Sequence, residues 1–265
     1  MVVSDSIADA GNGYRLEIRA LDCNTGATLA EEDTEISTRD QVVHELGVTA
    51  ARLRKQLGEP AESLARFNQP LERATSVSLE ALATGAEGTK FFLAGNPQAA
   101  LSLYQRGIEL DPNLALTYEG IGAANEALGH FDLVAAAAWT RAYQLRDRLM
   151  EKDKLNIEYV YFCDVQGDLD KAQSVLVRAL DLFPRDVIVH NNLSYVVARH
   201  GQLDRAADLA DKTARLEPSA LYFGWAAEHN IDANRFNEAR SWLDQGKAFN
   251  FNSLDLRIQG LRLAF

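Results

Sequence analysis

The sequence predicts a mostly α-helical protein: a solenoid of helical hairpins, about five repeats plus a closing helix, behind a small N-terminal α+β piece of three antiparallel strands and one helix. Three observations predict it. Glycine, alanine, leucine and proline recur at matched offsets from residue 95 onward. Period-two alternation and β-branched runs are concentrated in the first forty residues. Proline is scarce, 6 in 265 residues, so helices run with few breaks.

The strands come first. In "YRLEIRALD", Leu16, Ile18 and Ala20 alternate with Arg15, Glu17 and Arg19, the pattern of a strand with one buried face. "GNG" at 11–13 and "NTG" at 24–26 flank it; both are hairpin chemistry, because glycine and asparagine tolerate positive φ. The expected strands are 2–10, 13–23 and 27–36. A helix follows, capped by Ser37 or Thr38, with Val42, Val43, Leu46, Ala50, Leu53 and Leu57 on one face. So small a sheet with one helix buries little alone. Residues 1–58 therefore read either as the closing part of a domain begun upstream or as a cap packed on the helices that follow. Residues 59–78 carry Pro60 and Pro70 with sparse apolar marks at Leu64, Phe67 and Leu71, and read as a linker. The pattern is helical over 79–265.

That helical part repeats. Gly95 is followed by Ala100, Leu101, Tyr104, Ile108, Leu110 and Pro112. Gly167 is followed by Ala172, Leu176, Leu180, Leu182 and Pro184, and Gly201 by Ala206, Ala210, Ala214, Leu216 and Pro218. The step is 34 residues from Gly95 to Gly129 and from Gly167 to Gly201. A glycine closes a turn, small alanines let helices approach, larger apolar residues fill the seam, and proline ends the second helix. The copy after Gly129 lacks the proline and is followed by "RDRLMEKDK", so a longer connection is expected there. The last copy replaces the glycine with Asn234. These residues, over about two thirds of the chain, resemble the tetratricopeptide repeat family, whose unit is a pair of antiparallel helices of about 34 residues.

The resemblance implies that first helices line a concave groove. By spacing, the groove receives Gly85, Thr89 and Phe92, then Glu119, Ala123 and Glu126. It next receives Lys154, Ile157, Tyr161 and Asp164, then Ile188, Asn191, Tyr195 and Ala198, and last Gly224, Glu228 and Ile231. Relatives that clamp a terminal carboxylate use lysine, arginine and asparagine there; one lysine among several acids argues against such a clamp. Glu119, Glu126, Asp164 and Glu228 near Tyr161, Tyr195 and Asn191 suit a protein or peptide with basic and apolar residues. Against this stands the reading that the tyrosines pack between repeats and the acids are solvated surface.

Other chemistry is excluded or weak. A net charge of −11 opposes binding to nucleic acid or anionic membrane, and no apolar run is long enough to insert in a bilayer. Cys23 and Cys163 show no metal spacing and read as two buried thiols, with one disulfide as the alternative. The acidic run Glu31, Glu32, Asp33 and Glu35 reads as solvated strand edge. His44, His130, His190, His200 and His229 fall on different elements without a nucleophile beside them. "HNN" at 190–192 falls on a first helix, with Leu193 as a seam residue. No cofactor is implied.

A second resemblance is carried by "YRLEIRALDCNTG", the return strand and "ARLRKQLGE". These are similar to the closing half of the TolB-like α/β module, found before tetratricopeptide repeats in bacterial membrane-anchored serine/threonine kinases and transcription regulators. It implies that the chain is the non-catalytic, sensory or docking part of a larger signalling protein, outside the cytoplasmic membrane; without it, a cytoplasmic place is expected. The expected function is a protein-interaction scaffold. The alternatives are self-association through the strand edge near residues 1–10 and, last, an enzyme site between the α+β piece and the repeats.

Overall fold

The computed structural model describes residues 1–76, 78–130, 133–251 and 253–264. The chain divides into two compact units, Met1–Lys154 and Leu155–Phe265.

Unit 1 opens with β1 (Val2–Asp9), β2 (Tyr14–Leu21) and β3 (Thr28–Ile36), an antiparallel meander in the order β1-β2-β3. The register opposes Ile7 to Leu16 and Ile18 to Glu32. Leu16, Ile18 and Ala20 are buried together with Ala30 and Ile36 beneath α1 (Val42–Gln56). Thr38 caps the short 3-10 turn before α1 through a capping box with Gln41. Thr49 is fully buried on α1 and its hydroxyl lies 3.0 Å from that of Thr34. The acidic run is not simply solvated: Arg15 pairs with Asp33, Arg19 with Glu31 and Arg52 with Glu32.

Two short helices, α2 (Ala61–Phe67) and α3 (Leu71–Ala74), each begin directly after a proline that holds the N-cap position in extended backbone. Then come two helical hairpins, α4 (Leu79–Leu93) with α5 (Pro97–Leu110) and α6 (Ala115–Ala127) with α7 (Leu133–Leu145). Ala100 and Ala124 are buried beside Tyr104 and Ile121. A Cβ on Gly88 or Gly120 would meet the Tyr104 ring at 2.8 and 2.6 Å, so small residues make the slot for this ring.

The boundary between the units falls inside α8 (Glu151–Val160), which runs into a π turn over Tyr161–Val165. The 3-10 turn Arg146–Arg148 and this π turn take up the extra residues between Gly129 and Gly167. Unit 2 continues with α9 (Leu169–Leu182), α10 (Val187–Arg199), α11 (Leu203–Leu216), α12 (Ala220–Asp232), α13 (Phe236–Ala248) and α14 (Leu254–Ala264). α8 to α13 form three more hairpins and α14 closes the series. Leu193, Val196 and Val197 pack with Leu155, Tyr159, Leu176 and Ala206 in one core. Phe223, Trp242, Leu243 and Leu256 form a second. The turns confirm the register of the repeats. Gly201 has φ 75°, and Asn234, in the equivalent turn, has φ 59°.

The cysteines differ from expectation. Cys163 is buried, but Cys23 is exposed, and both are free thiols. Cys23 sits in the β2–β3 turn, where Asp22 takes the backbone N–H groups of Asn24 and Thr25; a turn built on its own polar groups leaves the next side chain in water.

Candidate functional site

The first helix of each hairpin carries the residues expected to bind. In unit 1, Glu119 and Glu126 lie on α6 and Lys154 on α8. Glu126 is exposed and Glu119 is partly buried. Burial, with a smaller contribution from the charge of Asp153, pushes the Glu119 carboxyl up to about 7; burial raises Asp153 as well. Lys154 is held at 2.5 Å by Asp147.

In unit 2, Ile157 is 2% exposed and so corrects the expectation of a groove residue. α8 is covered on two flanks: Leu155, Tyr159 and Cys163 enter one core, while Ile157 lies about 200° around the helix from Leu155. Tyr161 opens the π turn and its hydroxyl accepts a 3.2 Å bond from Gln166 Nε2. Asn191 and Tyr195 stand one turn apart on α10. Tyr195 is 46% exposed. Gly85 and Gly224 make helix contacts: a Cβ on either would come within 3.3 Å of Thr117 Oγ1 or Asp255 Cβ.

The acids are less free than their spacing implied. Asp164 lies 4.0 Å from Arg199. That guanidinium also lies over the Tyr195 ring, 5.5 Å from its centroid, and donates to Cys163 Sγ at 3.4 Å. Burial raises the Asp164 carboxyl, against the lowering effects of Cys163 and Arg199. Glu228 on α12 lies 3.7 Å from Arg262 of α14, which also holds Asp232 at 2.6 Å. Burial, then the charge of Asp232, raises Glu228. Sequence reasoning missed Arg199, Arg262 and Trp225, whose ring meets Tyr222 edge-on at 5.7 Å. Only Arg199 left a trace, one helical turn after Tyr195.

His190 and His229 do not form a reactive group, and His44 pairs with Glu72 at 3.0 Å on the surface of unit 1. His190 is fully buried and its Nε2 donates to the Pro184 carbonyl at 3.0 Å; a carbonyl can only accept, so the proton sits on Nε2. His229 Nε2 is 3.4 Å from Ser194 Oγ, but that hydroxyl is fully buried and donates to Asn191 O at 2.7 Å. The other ring nitrogen of His229 is buried without a partner, so no carboxylate orients it as a base. Among the described residues no group of three His, Cys, Asp or Glu could hold a metal ion. No described helix is long and apolar enough to cross a membrane.

The tetratricopeptide repeat family model matches residues 48–115 and 165–220. The FK506-binding protein-like protein of Rattus norvegicus is 30% identical over 136 residues, covering 46% of this chain and 37% of that protein. Its counterpart in Mus musculus is 28% identical over 129 residues, covering 44% and 35%. The chain thus spans about a third of the length of these relatives. A thermophilic tetratricopeptide repeat protein of Thermus thermophilus superposes with a TM-score of 0.54 at 20% identity, over 70% of this chain and 100% of that one. A chain of an APC/C hetero-tetramer superposes with a TM-score of 0.51 at 17% identity, over 82% and 40%. The turn residues, the buried alanines, the helical hairpins and these matches together support the tetratricopeptide repeat family for this chain.

Proposed function

We propose that this chain is a non-catalytic scaffold that holds an extended segment of a protein or peptide in the groove lined by the first helices of unit 2, from the π turn at Tyr161 through α10 to α12. Tetratricopeptide repeats are generally non-catalytic interaction modules, and nothing in the described residues points to an enzyme. The observation that carries the site is Tyr195, an aromatic ring left nearly half exposed one turn from Asn191 on α10, with Ile188 also exposed two turns before it on the same helix. An exposed tyrosine supplies contact area at small entropic cost, and an asparagine amide serves a peptide backbone in both directions. Tyr161 adds a second aromatic. Asp164 and Glu228 already have arginines, so a basic residue of the ligand competes with Arg199 or Arg262, and apolar side chains supply most of the affinity. A random peptide display library selected on the full chain tests this. Selected peptides that lose binding to a folded Tyr161→Ala/Tyr195→Ala variant support the groove; peptides that bind both equally overturn it.

The same proposal takes the chain as the sensory or docking part of a larger bacterial signalling protein, with residues 1–58, 59–78 and 79–265 as its working divisions. The meander with α1 on one face supports the resemblance to a TolB-like half-module. The upstream reading frame checks it: a kinase or DNA-binding domain in frame agrees, and an in-frame stop directly before Met1 overturns it.

A second reading, self-association, is favoured by β1. Every residue of this strand is exposed and its outer edge has no partner strand among the described residues, the situation that invites edge pairing. Sedimentation of the wild type beside Val3→Lys checks it; a monomer at all concentrations rejects this reading.

A further inference from the structure

We infer that the cleft between α13 and α14 docks an amphipathic, acidic helix of a partner protein. The cleft has a volume of about 500 Å³, within the roughly 300–1,000 Å³ typical of ligand sites. Its walls run along the helix axes. Leu243 and Lys247 stand one turn apart on α13, and Leu256, Gly260 and Leu263 follow one another at i, i+4 and i+7 on α14. Residues at this spacing on the two helices offer a surface to a third helix, whose own i, i+3, i+4 and i+7 side chains fit among them. A Cβ on Gly260 would meet no described atom within 4 Å, so a helix backbone can come close there.

Charge selects the occupant. The chain carries −11 overall, yet this cleft is lined by three cations and one acid: Arg240, Lys247 and Arg257 against Asp244. Lys247 is taken by Asp244 at 2.8 Å. The side chains of Arg240 and Arg257 make no hydrogen bond or ion pair among the described residues. They stand on opposite walls, Arg240 on α13 and Arg257 in the first turn of α14, placed to meet acids on both flanks of an entering helix. A second copy using the same face about a two-fold axis would bring these arginines toward one another, which disfavours it.

Two fluorescein-labelled helical peptides of about four turns test the proposal on the full chain, with leucine at i, i+3, i+4 and i+7. One has glutamate and the other lysine on its flanks. Anisotropy at low salt should show the glutamate peptide binding at least tenfold more tightly. Arg240→Glu/Arg257→Glu should invert that order, and Gly260→Leu, which fills the cleft, should weaken the glutamate peptide at least tenfold with unchanged circular dichroism. The arginine pair is exposed, so its test stands apart from packing. Equal binding of both peptides, or glutamate-peptide binding that survives Gly260→Leu, overturns the proposal. So does a concentration-dependent dimer that Gly260→Leu abolishes, which would assign the cleft to a second copy.

Discussion

The indole N–H of Trp242 on α13 donates to Asp211 Oδ1 of α11 at 2.6 Å. The same oxygen accepts from Asn230 Nδ2 of α12 at 2.7 Å. One buried carboxylate thus ties three successive helices of unit 2, in a setting where unmade hydrogen bonds are costly. Asp211→Ala is expected to destabilise unit 2 by about 3 kcal/mol, because it strands two buried donors. Trp242→Phe, which keeps the ring but removes the donor, should cost less, about 1–2 kcal/mol. Urea denaturation of the two variants checks the ranking; a Trp242→Phe loss equal to or larger than that of Asp211→Ala rejects the network's role.

Glu119 gives unit 1 a stability that falls as pH rises. Its carboxyl titrates at about 7 in the folded chain, against 4.5 for an ordinary glutamate. The folded state therefore holds a proton that the unfolded state has lost, and stability drains between about pH 4.5 and 7. Glu119→Gln is expected to raise stability at pH 8 by on the order of 2 kcal/mol, and to change it little at pH 4.5. Scanning calorimetry at the two pH values decides; an equal effect at both rejects burial of this charge as the cause.

His190 acts in the opposite sense. Burial lowers its pKa, against the raising effect of the Pro184 carbonyl. The unfolded state then takes up a proton below about pH 6.5 that the folded state refuses, so stability is lost as pH falls from 6.5 to the folded pKa and no further below it. Hydrogen exchange across α10 should quicken between pH 7.5 and 5.5, after correction for intrinsic rates. His190→Gln should flatten that change; a slope that persists in the variant places its source at another group.

Asn234 stands at φ 59° where the other repeats have glycine. Asn234→Gly is expected to be close to neutral, whereas Asn234→Ala should cost about 1 kcal/mol, since alanine lacks asparagine's local hydrogen bonds. Thermal melts of the two variants check this; an alanine variant as stable as wild type would show that the turn relaxes.

Features with a local cause are legible in the sequence alone. The hairpin turns, the alternation of Leu16, Ile18 and Ala20, and the glycine–alanine–proline offsets each follow from steric rules acting over one turn of chain. Thr49 was not legible, because its hydroxyl is buried on α1 only by virtue of its partners, Thr34 of β3 and Arg52. Ile157 misled because spacing marks the side of a helix without saying how many neighbours cover it. The expected acidic groove was legible as composition and illegible as chemistry, since Arg199 and Arg262 reach Asp164 and Glu228 from other helices.

By itself, then, the sequence determined the kind of protein this is: a sheet hairpin pair, a helix, and a run of helical hairpins, all set by period and turn chemistry. Tertiary structure alone decided which charges remain unpaired, which aromatic rings stay in water and where a cleft opens. Those properties depend on side chains brought together from positions about thirty residues apart, and a linear pattern carries no record of that distance.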